Sequence, residues 1–540
     1  MWWKHGVLYQ IYPRSFMDSN ADGIGDLKGI IEKLDYLNDG TEKSLGIDGI
    51  WISPFFRSPM RDFGYDVSDY RDIDPIFGTL QDFRLLLSEA HRRKIHVIID
   101  LVLNHTSDEH PWFQESRRSR DGPKAGWYIW HPGKDGRPPN NWFSQFELKN
   151  AWWYDPLRGE FYLGTFTRHQ PEVNWRNPEL KKEMFDLVRY WLDMGVDGFR
   201  LDVVNWFLKD DQFRSNPLSL RSMDLHRHVY DRNRPETIDV CRELRALTDS
   251  YAERMMVGEV YTEDPQIPPT YYGSGEDALH LVFNFDFLFK PWSAVKMHRS
   301  LAEWYGRLPA GAWPTFTLSN HDNLRHCLRY RKGKWTEARA KVAAALLITL
   351  RGTPFLYYGE EIGMTGGRLR RRDLADPLSR KTWPFRRFRR DLARTPMQWD
   401  GTPNAGFSTG KPWLPVDRDF QKNNAQIQER SSDSLLSFYR RLTWLRKNHP
   451  ALRSGGIRFL EEYLPDALVY ARENGAEVML VVLNFTAKPI FMKPSTPPRR
   501  MEVLLCSRQS AEPILDLDEG IDIRPYEVLI AKGVAVHEKQ

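Results

Sequence analysis

The sequence predicts an α/β protein built on a (β/α)8 TIM barrel, with a subdomain inserted after strand 3 and an antiparallel β domain at the C-terminal end. Three observations support this prediction. Short apolar runs of strand length recur eight times, amphipathic helical stretches separate several of them, and alternating strands replace this pattern near the end of the 540-residue chain. Strand–helix alternation repeated eight times is typical of such barrels.

The eight predicted strands are near-continuous apolar runs, as expected of parallel strands that are buried on both faces. In chain order they are residues 7–12, 49–53, 96–104, 198–204, 256–261, 281–287, 315–320 and 354–359. Two helices between them are predicted from apolar residues that share one helical face. One face contains Leu180, Met184, Leu187, Val188, Trp191 and Leu192, and the other contains Phe83, Leu86, Leu87 and Ala90.

Two intervals are too long for simple crossovers, and they set the predicted domain boundaries. Residues 105–175, rich in Trp, Asn, Pro and Gly, are predicted to form the inserted subdomain, so the barrel comprises 1–104 and 176–458. A helical stretch at 434–447 closes the barrel part. Two alternating runs joined around Asn474-Gly475 then predict a hairpin that opens a β-sandwich domain over 459–540.

Composition excludes several classes of protein. Hydrophobic residues make up 41% and charged residues 28% of the chain, the balance of a soluble globular protein. No run reaches the ~18 apolar residues of a membrane helix, and the first residues lack the pattern of a signal peptide. Because the three cysteines (Cys241, Cys327 and Cys506) are too few for a disulfide framework, we expect a reduced, cytoplasmic protein.

The positive charge is local rather than spread over a face. The formal charge is 77 − 72 = +5, but residues 368–394 alone contain eleven Lys/Arg and three Asp, a net +8. A nucleic-acid partner is therefore not expected. This Arg-rich stretch is either a solvated loop with internal ion pairs or an entrance that favours a phosphorylated sugar, since arginine forks match phosphate.

Carboxylates and histidines follow four of the predicted strands. The third strand carries Asp100 and is followed by His105, the fourth carries Asp202 near its end, and the fifth carries Glu259 near its end. The seventh is followed by His321-Asp322. Each could be a structural cap by itself. Four strand ends that carry such residues, at the spacing of the strand–helix repeat, predict an active site at one rim of the barrel. Catalytic residues of these barrels come from the C-terminal ends of the strands.

These segments resemble the signature regions of the α-amylase family, glycoside hydrolase family 13, in order and spacing. The motif Gln-Pro-Glu-Val-Asn at 170–174 is similar to the Gln-Pro-Asp-Leu-Asn of the oligo-1,6-glucosidase group. The runs 394–400 and 404–407 are also typical of the α-glucosidases of that group. The resemblance extends over essentially the whole chain.

The resemblance implies a retaining glycosidase, which needs a carboxylate nucleophile and a protonated acid roughly 5–5.5 Å apart. It implies that Asp202 is the nucleophile and Glu259 the general acid/base. Arg200 would keep Asp202 ionised and orient it, whereas Glu259 needs a less polar environment to keep its proton. Asp322 would bind the 2- and 3-hydroxyls of the sugar more tightly in the transition state.

Other site residues carry over from the same resemblance. His105 and His321 would donate hydrogen bonds to glucose in the −1 site, Tyr65 would stack beneath it, and Phe166 would line it. Asp100 would support Arg200 and Tyr65. A metal role for the two histidines is not expected, since no His-x-x-x-His or Cys pairing accompanies them.

Exo action and linkage depend on three further residues. In the family, a carboxylate and an arginine, here taken as Asp62 and Arg394, meet beyond the −1 sugar and close the pocket. Phe63 departs from the Asp-Asn-Gly-Tyr-Asp pattern that surrounds this carboxylate. Val203 after the nucleophile is typical of relatives that act on α-1,6 bonds, whereas Glu259-Val260-Tyr261 departs from their Glu-Met-Pro.

The loop after the first strand carries an independent motif of alternating oxygen side chains and glycines. Such spacing suits a hard divalent cation. The resemblance implies a structural Ca²⁺, and the alternative is an unmetallated Asx-rich turn. The metal-ligating candidates are Asp18, Asn20, Asp22, the Ile24 carbonyl and Asp26. No organic cofactor is expected.

The function predicted from this resemblance is an exo-acting retaining α-glucosidase for short oligosaccharides, isomalto-type α-1,6 bonds favoured and α-1,4 bonds left open. The alternative is a transglucosylating or isomerising relative similar to trehalose synthase. A third class, the transporter ancillary chains of the family, carries a membrane helix and commonly lacks part of the acid set, unlike this chain. We expect a small α-glucoside as substrate, no membrane or nucleic-acid partner, and a monomer or weak homo-oligomer.

Overall fold

The computed structural model describes residues 1–220, 222, 224–383, 385, 388–494, 499–508 and 513–533. Two arginines of the Arg-rich stretch, Arg386 and Arg387, lie outside the described residues, as do 534–540 of the predicted C-terminal domain. No helix in the described part of the chain is long and apolar enough to cross a membrane.

Eight parallel strands form one sheet, and each overlaps one of the eight predicted runs. The sixth is shorter than predicted, since it ends at Val282 and residues 285–288 form a helix. In chain order they are Leu8–Ile11, Gly49–Ile52, His96–Leu101, Gly198–Leu201, Met255–Gly258, Leu281–Val282, Thr315–Thr317 and Thr353–Tyr357. Neighbours along the chain pair except the sixth and seventh, and the first strand also pairs with the eighth. A single parallel bridge between Phe283 and Thr315 joins the sixth strand to the seventh, so the sheet is a nearly closed barrel.

The helices lie between and around these strands. Helices 178–193 and 80–92 each bury the predicted apolar face. A capping box formed by Thr79 and Asp82 begins helix 80–92. The helices are Trp2–His5, Pro13–Phe16, Leu27–Glu32, Leu34–Leu37, Leu80–Arg92, Pro111–Ser116, Pro178–Asp193, Thr237–Asp249, Ile267–Thr270, Phe285–Leu288, Ala294–Arg307, His326–Arg329, Thr336–Thr349, Pro377–Lys381, Ala425–Glu429, Leu435–Asn448 and Pro450–Ser454.

Short antiparallel strands occupy the insertion after the third barrel strand and the loop before it. They are Phe56–Arg57, Asp69–Ile73, Trp130–His131, Phe143–Ser144, Lys149–Asn150, Trp152–Asp155 and Glu160–Leu163. An isolated bridge from His105 to Glu172 and a hydrogen bond from the Val173 amide to the Asn104 carbonyl oxygen, at 3.1 Å, fold the insertion back onto the end of the third strand. The insertion therefore covers the rim that carries the candidate catalytic residues.

The C-terminal strands are antiparallel, as predicted. They are Gly456–Phe459, Ala467–Asn474, Glu477–Asn484, Ile490–Met492, Arg500–Cys506, Ile514–Asp516, Ile521–Ile523 and Val528–Gly533. The predicted hairpin is present, with Asn474 opposite Glu477 and Gly475 at φ 59°, a left-handed conformation that glycine adopts without strain. The division of the chain into three domains at the stated boundaries stays a prediction.

Candidate active site

The carboxylates of three neighbouring strand ends converge on one guanidinium. Arg200 donates from Nη1 to Asp100 Oδ1 at 2.6 Å and to Asp202 Oδ1 at 2.7 Å, and from Nη2 to Glu259 Oε2. The register of the barrel explains this, because Arg200 pairs with Asp100 on the third strand and with Val257 on the fifth, two residues before Glu259. Arg200 and Asp202 are two residues apart and leave the backbone on the same side.

The environment of this group favours retention of a proton. Burial raises the pKa of Asp202 and of Glu259, and the Arg200 guanidinium opposes the rise in both. Burial also raises the pKa of Asp100, to about 6, against the same guanidinium. Because three buried carboxylates beside one cation repel one another, they cannot all ionise as readily as free carboxylates. A carboxyl pair that keeps one proton can act as nucleophile and acid together.

Asp322, after the seventh strand, has the opposite environment. Its Oδ1 accepts hydrogen bonds from Arg394 Nη2 at 2.6 Å and from Arg390 Nη1 at 3.3 Å. Burial acts to raise its pKa, but His321, Arg390 and Arg394 outweigh this and hold the pKa of Asp322 well below its ordinary value. The side chain is 34% exposed. An ionised carboxylate is therefore open to a ligand.

Two neutral histidines and a tyrosine lie between these carboxylates. Burial lowers the pKa of both His105 and His321 to about 3. Gln10 Nε2 can only donate to His321 Nδ1, 2.9 Å away, so His321 Nε2 carries the proton and faces Tyr65 Oη at 2.7 Å. Tyr65 donates in turn to Asp100 Oδ2 at 3.0 Å, and its ring stacks on His321.

His105 reaches the same place from the third strand. Its Nε2 lies 3.1 Å from the Tyr65 carbonyl oxygen and 3.1 Å from Gln170 Nε2, which also donates to Asp62 Oδ2 at 3.1 Å. The ring of Phe166 lies with its centroid 5.2 Å from that of His105. The structure thus brings His105, Phe166, Asp62 and Tyr65 together.

The expected pairing of Asp62 with Arg394 is wrong. Asp62 Oδ1 accepts a hydrogen bond from Arg390 Nη2 at 2.9 Å, and Arg390 also binds Asp376 Oδ1 at 2.5 Å. Arg394 instead contacts Asp322 and the His321 carbonyl oxygen, at 2.9 Å. The physical reason lies in the backbone: Ser15 Oγ holds the Arg394 carbonyl oxygen at 2.5 Å, next to the first strand, whereas Arg390 starts a short helical turn that faces Asp62.

Val203 follows Asp202 in a strained conformation. Its φ of 38° and ψ of 46° place a β-branched residue in the left-handed region, which such residues rarely adopt. Val203 is 7% exposed, and its side chain packs with Phe166, Trp206 and Phe146. Val203 and Phe166 therefore form one apolar wall beside Asp202.

Several residues of the site were missed by sequence reasoning. Gln10 gives no signal beyond lying in the first strand, and Arg390 is one of many arginines in its stretch. Lys209 is almost fully buried, forms an ion pair with Glu172, and lies 3.1 Å from Asn104 Oδ1. Gln170 and Glu172, which contact these site residues from the insertion, both belong to the Gln-Pro-Glu-Val-Asn motif at 170–174. That motif was the sequence signal that could have identified them.

The candidate metal loop has oxygen donors, but these face the backbone of the loop. Asp18, Asn20, Asp22 and Asp26 accept hydrogen bonds from nearby backbone N–H groups, including that of Ile24 at 2.7 Å. No group of three or more His, Cys, Asp or Glu side chains suited to a metal ion is found within the described residues. The donor chemistry is that of a calcium ligand set, all oxygen.

A parallel barrel whose strand ends bring a buried acid pair, an ionised third carboxylate and neutral histidines together defines a class of protein: a glycosidase. Comparison with known proteins gives the family. The model of the α-amylase catalytic domain matches residues 10–455. The chain therefore belongs to the α-amylase family, as its motifs indicated.

Two bacterial relatives match nearly the whole chain. A probable α-glucosidase of Rhizobium meliloti is 42% identical over 501 residues, 90% of this chain and 89% of that protein. An oligo-1,6-glucosidase of Parageobacillus thermoglucosidasius is 38% identical over 564 residues, 98% of this chain and 99% of that one.

Solved structures agree in fold. The α-glucosyl transfer enzyme XgtA has a TM-score of 0.90 at 39% identity and 99% coverage of both chains. The trehalulose synthase MutB of Pseudomonas mesoacidophila MX-45 has a TM-score of 0.89 at 35% identity, covering 98% of this chain and 99% of that one.

Proposed function

We propose that this glycosidase is an exo-acting, retaining α-glucosidase that releases the non-reducing terminal glucose of short oligosaccharides. The observation that carries the proposal is the binding of Asp202 and Glu259 to one buried guanidinium, that of Arg200. A shared cation keeps two carboxyl groups close, and retention requires a close pair because one attacks the carbon from which the other expels the leaving group.

In the proposed mechanism, Asp202 attacks the anomeric carbon while Glu259 protonates the glycosidic oxygen. The C–O bond to the leaving sugar breaks, and a glucosyl ester of Asp202 forms. Glu259, now ionised, takes a proton from water as that water attacks the anomeric carbon and releases Asp202. Asp322 accepts hydrogen bonds from the 2- and 3-hydroxyls, which strengthen as the ring flattens in the transition state.

The closed end of the pocket supports exo action. Asp62 and Asp376, both nearly fully buried, bind the same guanidinium of Arg390, which also reaches Asp322. This ion-pair cluster lies beside the carboxylate that would bind the terminal sugar. It leaves that sugar without room for a further unit beyond it.

Linkage specificity is proposed to favour α-1,6 bonds. Val203 lies on the apolar wall beside Asp202, where a methyl group or two contributes ~1–3 kcal/mol of discrimination. Several relatives, including that of Parageobacillus thermoglucosidasius, are named oligo-1,6-glucosidases. The initial rate on maltose tests whether α-1,4 bonds are also hydrolysed.

A second candidate is transfer of the glucosyl unit to another sugar. It is favoured by the likeness to XgtA, an α-glucosyl transfer enzyme, and to the trehalulose synthase MutB. Both candidates share the glucosyl ester of Asp202 and differ in whether water or a sugar attacks it.

We also propose structural Ca²⁺ in the loop after the first strand, held by Asp18, Asn20, Asp22, Asp26 and the Ile24 carbonyl. Its contribution would be to the order of that loop rather than to chemistry. The three cysteines are unpaired, which supports a cytoplasmic location. A monomer or weak homo-oligomer is proposed as the solution state.

The decisive experiment measures initial rates on isomaltose, maltose, sucrose and maltohexaose, with products separated chromatographically. Free glucose from isomaltose, well ahead of maltose and with little from the hexamer, is expected. New disaccharides in place of glucose would assign the chain to the transferring class. Activity that survives Asp202→Asn would reject the mechanism.

A further inference from the structure

Phe63 occupies a turn that suits another residue type. The Tyr65 amide donates to the Asp62 carbonyl oxygen at 3.2 Å, which closes a turn around Phe63 and Gly64. Both central residues have positive φ, 52° and 106°. Two positive φ angles define a type I′ turn, in which Asn-Gly is strongly preferred and a bulky side chain at the first position is strained. The family pattern Asp-Asn-Gly-Tyr-Asp fits this preference, and this chain does not.

The ring of Phe63 lies against two arginines and a tryptophan. The guanidinium carbon of Arg394 lies 5.7 Å from the ring centroid and that of Arg14 5.5 Å. The Trp413 ring lies 5.5 Å away. Trp413 Nε1 donates to Ser15 Oγ, which in turn donates to the Arg394 carbonyl oxygen. The Phe63 ring therefore contacts the side chain of Arg394, and the chain of hydrogen bonds from Trp413 through Ser15 holds the backbone of the same arginine.

Arg394 has incomplete hydrogen bonds, and the Phe63 ring is one of two aromatic rings beside its guanidinium, the other being that of Tyr12 at 5.4 Å. Arg394 is 1% exposed, and its Nε and Nη2 donate to the His321 carbonyl oxygen and to Asp322 Oδ1. Its Nη1 lies 3.8 Å from Asp376 Oδ1, too far for a hydrogen bond. An aromatic face within ~6 Å stabilises a desolvated guanidinium by an electrostatic attraction that an aliphatic side chain lacks.

We propose that Phe63 is a positioning residue that acts through Arg394 on Asp322. The Phe63 ring holds the Arg394 guanidinium, and this guanidinium in turn holds the Asp322 carboxylate. The strained turn is kept for this reason. The inference rests on the proposed function for its kinetic consequence. Since Asp322 is assigned the hydroxyl contacts that strengthen in the transition state, its displacement lowers kcat and kcat/KM together and leaves KM nearly unchanged.

The test uses three substitutions at this position and one control. Phe63→Leu keeps an apolar side chain without a π face, Phe63→Tyr keeps the face, and Phe63→Asn restores the residue that the turn prefers. Phe77→Leu is the matched control, because the Phe77 ring lies 5.8 Å from Arg14 and makes no such contact with Arg394 within the described residues.

We expect kcat on the best α-glucoside to fall about 10-fold in Phe63→Leu and Phe63→Asn, while KM stays within about twofold of the wild-type value. The unfolding midpoint of Phe63→Asn should be no lower than that of the wild type. Phe63→Tyr and Phe77→Leu should keep kcat within about twofold. Wild-type kcat in Phe63→Leu overturns the proposal, as does an equal loss in Phe77→Leu.

Crystal structures of the Leu and Tyr variants give a readout that needs no activity. The 2.6 Å contact between Arg394 Nη2 and Asp322 Oδ1 should break in Phe63→Leu and persist in Phe63→Tyr. An unchanged contact in Phe63→Leu overturns the proposal even if the wild type lacks glucosidase activity, whereas missing wild-type activity rejects only the proposed function.

Discussion

Asp62 Oδ1 accepts a hydrogen bond from Arg390, not from the arginine four residues later that begins the Arg-Thr-Pro-Met-Gln-Trp motif. The guanidinium of Arg390 also lies 4.5 Å from the ring centroid of Phe146, a residue of the insertion. One side chain thus joins the loop after the second strand, the segment after the eighth and the insertion. The proposed closure of the pocket beyond the terminal sugar depends on this arginine.

Replacement of Arg390 should damage both binding and stability. In Arg390→Ala, the buried Asp62 and Asp376 lose their cation. Truncation of one partner of a buried, hydrogen-bonded charge pair costs ~2–5 kcal/mol, so kcat/KM on disaccharides should fall at least about 30-fold, with a lower unfolding midpoint. Arg372→Ala, an exposed arginine of the same stretch, is the control and should change neither. Equal behaviour of the two variants would contradict the assignment.

Val203 should set the ratio of α-1,6 to α-1,4 hydrolysis. Val203→Ala removes two methyl groups from the wall that Phe166 and Trp206 complete. The ratio of kcat/KM on isomaltose to that on maltose is expected to fall about 5-fold or more. An unchanged ratio would place linkage discrimination in the loops after strands five and eight.

The pH profile of kcat/KM should respond to the Arg200 cation. Asp202 must be ionised to attack, and the cation lowers a pKa that burial raises. In Arg200→Lys, the fork that binds three carboxylates is lost. The pKa of Asp202 should rise, so the acid limb of the profile should move to higher pH and kcat should fall at least about 10-fold. An acid limb at the wild-type position would show that Arg200 does not tune the nucleophile.

Asp197 provides a stability prediction with a defined pH window. Burial acts to raise its pKa, but hydrogen bonds from His91 and the Val97 amide, together with the His96 ring 3.2 Å away, hold the pKa far below its ordinary value. A depressed folded-state pKa stabilises the fold above the unfolded value, about 3.9, and this contribution is lost as the pH falls through the folded value. Asp197→Asn should cost ~2 kcal/mol of unfolding free energy at pH 7, and the difference should shrink below about pH 4.

Calcium removal tests the loop after the first strand. Chelation should lower the unfolding midpoint by about 1–2 °C if the ion orders this loop, the shift expected when a chain of this length loses about 1–2 kcal/mol. Asp22→Ala should remove the response to added Ca²⁺. Asp39→Ala, which disrupts an exposed turn closed by Thr41, is the control and should keep it. A midpoint that ignores both chelator and Ca²⁺ leaves the loop as an Asx-rich turn.

The fold was predictable because its signals are local. Each barrel strand is a continuous apolar run, and the stripe from Leu180 to Leu192 is buried as its spacing indicated. Residues at strand ends, such as Asp202 and Asp322, were predictable because the barrel topology alone places them at one rim. The pairing of Asp62 was not, because Arg390 and Arg394 lie on the same irregular segment. Its course is decided by contacts such as that of Ser15 with the Arg394 carbonyl oxygen.

The convergence of Asp100, Asp202 and Glu259 on a single guanidinium has a consequence for how such a site can be lost over generations. A lineage that drops one acid still has a cation for the other two, so acids can disappear one at a time. A lineage that drops Arg200 first leaves three buried carboxylates uncompensated, and unpaired buried charges are strongly destabilising. Decay of the site is therefore ordered: inactive descendants should lose acids before this arginine, and descendants that retain every acid should retain Arg200.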